Sequence, residues 1–219
     1  MKLLSRFMIA LMAISLVTAC KNQPEGEKTQ AGAAKEAATA PASAKNFEVA
    51  GGTIYWTGTK VAGQHNGTIT IGKGILATEG DNIASGEFAI DMNSIVVSDI
   101  TDEKDNGNLV GHLKSPDFFD VGTHSTGNFK IVSVEKVMGD ETTTHRITGN
   151  LTLKGITKSI TIPANVIIAG NTITAVTPKF TINRTEWDIK YGSGLIGTAA
   201  DKIIHDEISL NMEFTGKAS

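Results

Sequence analysis

Residues 146–166 read RITGNLTLKGITKSITIPANV, and this stretch decides the class of the fold. Ile147, Leu151 and Leu153 share one face of the first half, and polar residues occupy most of the other face. This alternation with a period of two residues is typical of a half-buried β-strand. The alternation resumes after the turn dipeptide Lys154-Gly155, so the stretch predicts an antiparallel β-hairpin.

Similar alternation extends outward from this hairpin, over residues 84–92 in one direction and 208–214 in the other. Short connections imply antiparallel neighbours, and a sheet of about eight strands tends to close on itself and so remove its edges. We therefore predict an all-β fold, an eight-stranded antiparallel barrel whose interior is either packed or able to hold one small ligand. The clearest turns between the apolar runs are Gly72-Lys73-Gly74, Gly80-Asp81-Asn82, Gly139-Asp140 and Gly170-Asn171.

Residues 98–121 break the strand pattern and predict a short helical insertion. Leu109, His112 and Leu113 recur at helical spacing, and Ser115-Pro116 has the form of an N-cap followed by proline at the first helical position. We expect a second short helix to begin there and the whole insertion to cover one end of the barrel. A loop that plugs the barrel without any role in binding is the alternative.

The N-terminus has the layout of an export signal. Lys2 and Arg6 flank the start of an apolar run over residues 7–17, which is shorter than the roughly 20 residues that a membrane-spanning helix needs. Val17-Thr18-Ala19-Cys20 resembles the lipobox of bacterial lipoproteins, whose cysteine is acylated. We expect residues 1–19 to be a lipoprotein signal peptide, with an ordinary secretory signal as the alternative. Acylated Cys20 would then anchor the chain in the cell envelope, on the periplasmic face or in the outer membrane.

Residues 20–46 predict a flexible tether between this anchor and a single domain over residues 47–219. Between residues 21 and 46 the chain has no aromatic residue and no Leu, Ile, Val or Met. Such a segment cannot bury enough apolar surface to offset the entropy lost on ordering. We therefore expect it to be disordered.

The charge and the polar residues point away from several classes of function. The sequence has 20 Lys and Arg against 23 Asp and Glu, whereas a nucleic-acid-binding domain carries a basic footprint. Gly192–Gly197 fits the G-x-G-x-x-G pattern but lacks the surrounding βαβ unit, so we interpret it as a glycine-rich loop. The five histidines are scattered, and no nucleophile elbow is present. We therefore predict no metal, no cofactor, no catalytic residue and no enzymatic activity.

Three ordered motifs carry a resemblance to a known family. Residues 112–120 read HLKSPDFFD and resemble the HL-(R/K)-S-x-D-F-F-D signature of YceI-like proteins. Residues 149–158 match that family's G-x-L-T-(I/L)-x-G-x-T-K element, and residues 182–184 resemble its I-N-R element. The chain departs from the family at Leu109-Val110, where Arg-Asp is usual. The signature residues are His112, Leu113, Asp117, Phe118, Phe119 and Asp120.

The resemblance implies a lipocalin-like barrel that carries or stores a polyisoprenoid, or a related isoprenoid quinone or fatty chain, in its lumen. Burial of one methylene contributes about 0.8 kcal/mol, so apolar walls alone can bind such a ligand. Two alternatives remain, a lipid-modifying enzyme that uses His65 or His205 as its base, and an envelope stress interaction module with a packed barrel. A homodimer is left open.

We assign candidate ligand contacts from the alternation and the aromatic residues. The head group of the lipid would meet Lys60, Lys114 or Arg184, although a structural salt bridge between Arg184 and Asp188 is the alternative. The predicted lumen residues are Ile54, Trp56, Phe88, Ile90, Phe129, Ile131 and Trp187. For each of them, a place in the outward core under the helical insertion is the alternative.

Overall fold

The computed structural model describes residues 23–140 and 142–219. It contains eleven β-strands, one α-helix and three short 3-10 helices. The 3-10 helices are Arg184–Trp187, Gly194–Ile196 and Ala200–Lys202. The other elements are β1 (Glu27–Lys28), β2 (Gly32–Ala33), β3 (Lys45–Lys60), β4 (Gly63–Glu79), β5 (Asn82–Val97), α1 (Glu103–Lys114), β6 (Thr126–Lys136), β7 (His145–Leu153), β8 (Ile156–Ala169), β9 (Thr172–Val176), β10 (Phe180–Asn183) and β11 (Ile204–Ala218).

Eight strands close into an antiparallel barrel, as the sequence predicts. Strands β3 to β8 pair in chain order, β9 pairs with β8, and β11 closes the ring between β9 and β3. Strand β10 continues along the same edge of β11, where Ile182 lies opposite Ile208. Between the two, the Thr177 N–H donates to Met212 O at 2.9 Å, so β9 and β10 act as one interrupted strand.

The alternation of the sequence sets which side chains face the interior. Ile147, Leu151 and Leu153 of β7 are all buried, and the matching positions of the neighbouring strands join them in one apolar core. Each buried aliphatic or aromatic side chain stabilises the fold by about 1.5–3 kcal/mol relative to an exposed one.

The two ends of the barrel differ in construction. At one end, which we call the closed end, Phe47 and Ile173 have no exposed surface, and Val49 has almost none. The chain there is so tightly packed that a Cβ atom on Gly216 would lie 2.9 Å from the Ile173 side chain. The other end, which we call the mouth, consists of the β3–β4 hairpin, α1 and residues 184–204.

Helix α1 is the helical insertion that the sequence predicts, but the second helix expected at Ser115 is wrong. The Asp102 side chain caps the start of α1 by accepting from Asp105 N–H, and Ser115 ends the helix by donating to His112 O at 3.1 Å. Ser115 is therefore a C-cap, and residues 116–119 form turns. The prediction failed because a serine followed by proline also fits a chain that is leaving a helix. Within the described residues, no helix is long and apolar enough to cross a membrane.

Residues 23–46 do not form the expected free tether. Strand β1 runs parallel to β10 and β2 runs antiparallel to β8, and Thr29 is buried. Further along, Ala38 N–H donates to Ile131 O at 2.9 Å. The composition predicted disorder because this segment, which we call the strap (residues 25–38), has few apolar side chains. It is held instead by backbone hydrogen bonds to strand edges and by ion pairs such as Lys179–Glu25. The predicted signal peptide and Cys20 lie outside the described residues.

Candidate functional site

The barrel encloses a cavity of about 360 Å³ that is lined almost entirely by apolar side chains. This volume lies within the range of about 300–1,000 Å³ that is usual for ligand pockets. Along β4 the lining runs from His65 to Leu76, a path of about 36 Å at roughly 3.3 Å per residue. Six of the seven predicted lumen residues line it, namely Ile54, Trp56, Phe88, Ile90, Phe129 and Ile131.

Trp187, the seventh predicted lumen residue, lies outside the lining. Its side chain is wholly buried, and its Nε1–H donates to Leu151 O at 3.0 Å. The 3-10 helix that carries Trp187 contacts both β8 and β11. The indole is therefore a structural element of the barrel wall, because the 3-10 turn directs it to Leu151 O.

The polar residues of the lining gather at the mouth. Thr59 and Lys60 lie at the end of β3, and His65 lies near the start of β4. Arg184 and Tyr191 belong to the segment after β10. The cavity reaches the surface here, where Tyr191 lines it and is 46% exposed. Deeper in the barrel the walls are apolar. Thr177 also lines the cavity there, and its hydroxyl accepts from Met212 N–H at 2.9 Å. The site is thus an apolar shaft with a polar opening.

A histidine and a carboxylate meet at the rim of the mouth. His65 Nδ1 lies 2.9 Å from Asp99 Oδ2, and the Asn66 N–H donates to Asp99 Oδ1 at 2.9 Å. Partial burial raises the pKa of Asp99, but these hydrogen bonds outweigh it and leave the pKa below its ordinary value. The pair fixes the start of β4 to the loop that leads into α1.

The family signature forms the helix side of the mouth. The ring of His112 stands edge-on to Tyr191 at 4.6 Å and to Phe118 at 5.0 Å between centroids, and His112 Nε2 lies 3.4 Å from Asp117 Oδ2. Leu113, Phe118 and Phe119 also line the cavity. Asp120 takes a left-handed backbone conformation with φ of 45°, and its N–H donates to Ser115 O at 2.9 Å.

The three predicted head-group residues occupy different environments. The Arg184 guanidinium is only 1% exposed and donates to the carbonyls of Ile189 at 2.7 Å, Ile204 at 3.2 Å and His205 at 3.3 Å. Burial lowers the pKa of Arg184, and the nearby Asp206 carboxylate, 3.4 Å away, opposes that shift. The Arg184 guanidinium therefore already donates hydrogen bonds to acceptors within the protein. Its acidic partner is Asp206 rather than the expected Asp188.

The two lysines of that set also differ. Lys114 Nζ donates to Asn93 O at 2.7 Å, and its side chain does not line the cavity. Lys60 lines the cavity at the mouth and forms no ion pair with any residue that the structure describes. Lys60 is thus the predicted cation that a ligand at the mouth can reach, although contact with a head group stays a prediction.

Some residues of the mouth escaped the sequence analysis. Tyr191, Thr59 and Ile204 all line the cavity, yet none lies in a recognisable motif. For Tyr191, the only signal in the sequence was an aromatic residue within a glycine-rich segment. His205, considered as a base, bonds through Nδ1 to Thr59 Oγ1 at 2.8 Å. In residues 23–140 and 142–219, no group of three His, Cys, Asp or Glu side chains is placed to hold a metal ion.

Comparison with known proteins identifies relatives over part of the chain. A UPF0312 protein of Vibrio parahaemolyticus is 36% identical over 97 residues, which is 41% of this chain and 50% of that protein. A UPF0312 protein of Pseudomonas paraeruginosa is 47% identical over 60 residues, 27% of this chain and 29% of that protein. This chain therefore spans half or less of the length of these relatives.

Two solved structures have the same fold. BcnA of Burkholderia cenocepacia matches with a TM-score of 0.54 and 20% identity over 75% of this chain and 95% of its own. A polyisoprenoid binding domain from Saccharophagus degradans, implicated in plant cell wall breakdown, matches with a TM-score of 0.53 and 12% identity over 78% of this chain and 99% of its own. Residues 38–216, most of the sequence, match the model of the YceI-like domain. The chain belongs to the YceI-like domain family.

Proposed function

We propose that the barrel binds one long-chain apolar lipid, a polyisoprenoid or a related isoprenoid quinone or fatty chain, with the chain in the lumen and the polar end at the mouth. The observation that carries this proposal is the distribution of polarity along the cavity, whose shaft is apolar and whose polar side chains gather at one end. An amphiphile with one long tail matches that distribution. The likeness in fold to the Saccharophagus degradans polyisoprenoid binding domain supports the same class of ligand.

Apolar walls can supply the affinity without specific chemistry. Each methylene moved out of water contributes about 0.8 kcal/mol, so one five-carbon isoprene unit contributes a few kcal/mol. Ordering of the chain and the solubility of the lipid in a membrane both oppose this gain. The balance suits a protein that takes up and releases its ligand, which is what carriage or storage requires.

The open lumen favours binding over the two alternatives. A packed interaction module requires a filled interior, whereas this barrel encloses a cavity of about 360 Å³. A lipid-modifying enzyme requires an acid or base directed at a reacting atom of the lipid. The His65–Asp99 pair lies at the rim, where the ligand's polar end would be, and we assign it a structural role in holding the rim. We therefore propose a binding protein rather than an enzyme.

We also propose that the chain acts in the cell envelope and is held to a membrane by acyl groups on Cys20. The lipobox-like Val17-Thr18-Ala19-Cys20 supports this location. Labelling of cells with a palmitate analogue tests it, because the wild-type chain should take up the label and Cys20→Ser should not. Label on Cys20→Ser, or none on the wild type, would contradict the anchor. Light scattering on the purified protein measures whether it forms a homodimer.

Substitution of Gly58 tests whether the lumen is the binding site. It lines the cavity near the mouth, and a Cβ atom added there would have no neighbour within 4 Å. Gly58→Leu should therefore fill the shaft without disturbing the wall. Thr57→Leu is the matched control, since Thr57 precedes Gly58 in the same strand and does not line the cavity.

The proteins would be delipidated and titrated with a polyprenyl phosphate and an isoprenoid quinone. We expect Gly58→Leu to weaken binding of at least one of these ligands more than tenfold, and Thr57→Leu to leave it unchanged. Equal affinities for the two variants would place binding outside the lumen and overturn the proposal.

A further inference from the structure

Two loops at the mouth expose apolar side chains to solvent. Leu195 and Ile196 are 74% and 57% exposed, and Val61, in the β3–β4 hairpin, is 56% exposed. Ile203 contacts both loops, because its carbonyl accepts from Val61 N–H at 3.4 Å and a Cβ atom on Gly194 would lie 3.6 Å from its Cδ1. We call the two loops the hairpin tip (residues 61–63) and the glycine-rich tip (residues 191–200). Exposed apolar side chains that are grouped in this way mark an interaction surface, whereas scattered ones do not.

Neither tip carries a charge. The glycine-rich tip reads YGSGLIGTAA and the hairpin tip reads VAG. Charged residues return directly beside them, with Lys60 before the hairpin tip and the exposed pair Asp201 and Lys202 after the glycine-rich tip. The tips therefore form an uncharged projection framed by charges of both signs. This order matches a membrane, whose apolar interior lies beneath zwitterionic head groups that charged side chains can reach.

The backbone of the glycine-rich tip is hydrogen-bonded within its own segment. Ser193 has no exposed surface, and its N–H donates to Lys190 O at 3.0 Å. The Ser193 hydroxyl accepts from Leu195 N–H at 3.2 Å, and the Ser193 carbonyl accepts from Ile196 N–H at 3.3 Å. An unpaired backbone group is strongly unfavourable in hydrocarbon. A tip that already pairs these groups is therefore suited to insertion among lipid chains.

The exposed apolar surface is continuous with the wall of the lumen. Tyr191, the first residue of the glycine-rich tip, is partly exposed and also lines the cavity. Ile204 lines the cavity as well, and its N–H donates to Gly192 O at 2.8 Å. Leu195 and Ile196 lie outside the cavity lining, in the same segment as its opening. A lipid that entered beside these tips would move between two apolar environments without exposing its chain to water.

We propose that the hairpin tip and the glycine-rich tip dock the mouth onto a membrane surface, with Val61, Leu195 and Ile196 inserted among the lipid chains. The lumen then exchanges its ligand directly with the bilayer. A protein partner matches these tips less well, because protein interfaces are anchored mainly by Trp, Tyr and Arg, whereas the side chains that project here are mainly aliphatic. The docking surface goes beyond the proposed function and rests on it for the lipid that is exchanged.

Tryptophan quenching tests which end of the barrel enters a membrane. The full chain, as wild type, Leu195→Trp and Met138→Trp, would be added to phosphatidylcholine vesicles brominated along their acyl chains. Met138 is the matched control, because it is 94% exposed and follows β6, which leads away from α1 and the mouth. We expect the fluorescence of Leu195→Trp to be quenched well beyond the background of the two native tryptophans, and Met138→Trp to show no loss beyond that background.

The difference between the two variants is independent of how the chain reaches the vesicle. An acyl group on Cys20 would bring all three proteins to the surface alike. Equal quenching of the two variants would overturn docking through the mouth. Quenching of Leu195→Trp no greater than that of the wild type would also overturn it and leave a protein as the occupant of the tips.

Exchange with vesicles separates docking from ligand binding. Leu195→Asp and Met138→Asp would be compared in the rate of uptake of an isoprenoid quinone from vesicles and in affinity for the same quinone added without vesicles. We expect Leu195→Asp to slow uptake roughly tenfold, because a charge on the tip opposes insertion. Its affinity should stay at the wild-type value, since Leu195 lies outside the cavity lining. Met138→Asp should change neither quantity.

The two measurements fail in different ways. Wild-type uptake by Leu195→Asp, with affinity intact, would overturn the docking surface and leave the proposed function standing. A wild-type protein that binds neither the quinone nor a polyprenyl phosphate would overturn the proposed function, and the quenching of Leu195→Trp would then decide the docking surface alone.

Discussion

The closed end and the mouth of the same barrel are built for different purposes. At the closed end, Phe47 and Ile173 have no exposed surface, and tight turns join β4 to β5 and β8 to β9. At the mouth, Leu195 is 74% exposed and Ile196 is 57% exposed, and two connections are long, β5 to β6 through α1 and β10 to β11 through three 3-10 helices. The difference indicates that the closed end carries stability and the mouth carries access to the lumen.

Loss of a large side chain at the closed end should have the largest effect on stability. Phe47→Ala removes a wholly buried ring and should lower the free energy of unfolding by about 3–5 kcal/mol, measured by denaturant titration. Leu195→Ala at the mouth is the control, and its effect should stay within about 0.5 kcal/mol. Equal losses for the two variants would remove the distinction between the ends.

Substitution of Arg184 tests whether this buried cation stabilises the mouth. Arg184→Met removes a buried cation and leaves its hydrogen-bond acceptors, including Asp206, without a donor. We therefore expect a loss of about 3 kcal/mol in the free energy of unfolding. Arg184→Lys should recover only part of this loss, because an ammonium group cannot reach all of those carbonyls. Unchanged stability together with weakened binding of a phosphorylated lipid would instead assign Arg184 to the head group.

The strap pairs with β10 and β8 and continues to β6. Thr29→Pro deletes the N–H that donates to Thr181 O at 3.0 Å, and it should lower the free energy of unfolding by about 1 kcal/mol. Hydrogen exchange should become faster in residues 25–33 and β10 and stay unchanged at the closed end. Thr29→Val is the control for loss of the hydroxyl, which also donates to Thr181 O. Unchanged exchange in Thr29→Pro would contradict a bound strap.

The smallest expected effect concerns Asp99 at the rim of the mouth. Its pKa is lowered in the folded state, so its contribution to stability is present above the ordinary carboxyl pKa and is lost as the pH falls through the folded value. Asp99→Asn should therefore lower the free energy of unfolding by about 0.2–1 kcal/mol at neutral pH. Denaturant titrations at neutral and strongly acidic pH check this, and a gap between variant and wild type that persists in acid would contradict it.

The fold and much of the cavity lining could be predicted from the sequence, whereas the contacts at the mouth could not. Strand alternation predicted the barrel and placed Phe88, Ile90 and Ile131 in the lumen, because a period of two residues fixes the face on which a side chain lies. The pattern is lost where regular strands end. The contact between His112 and Tyr191 joins residues far apart in the chain, and no local pattern encodes it.

The errors have the same physical origin. Trp187 was predicted to line the lumen, but a 3-10 turn directs the indole into the wall. The strap was expected to be disordered because it has few apolar side chains. Its order depends instead on pairing with the edges of β8 and β10, which exist only in the folded barrel. Both features depend on tertiary context.

The most direct test of a lipid-filled lumen is to identify what the protein already holds. The chain would be purified from its native host without detergent, extracted with organic solvent and analysed by mass spectrometry, with Gly58→Leu treated in parallel. We predict a stoichiometric long-chain lipid in the wild-type extract and its loss from the variant. A wild-type protein that is stable, free of lipid and indifferent to added polyprenyl phosphates and quinones would contradict it.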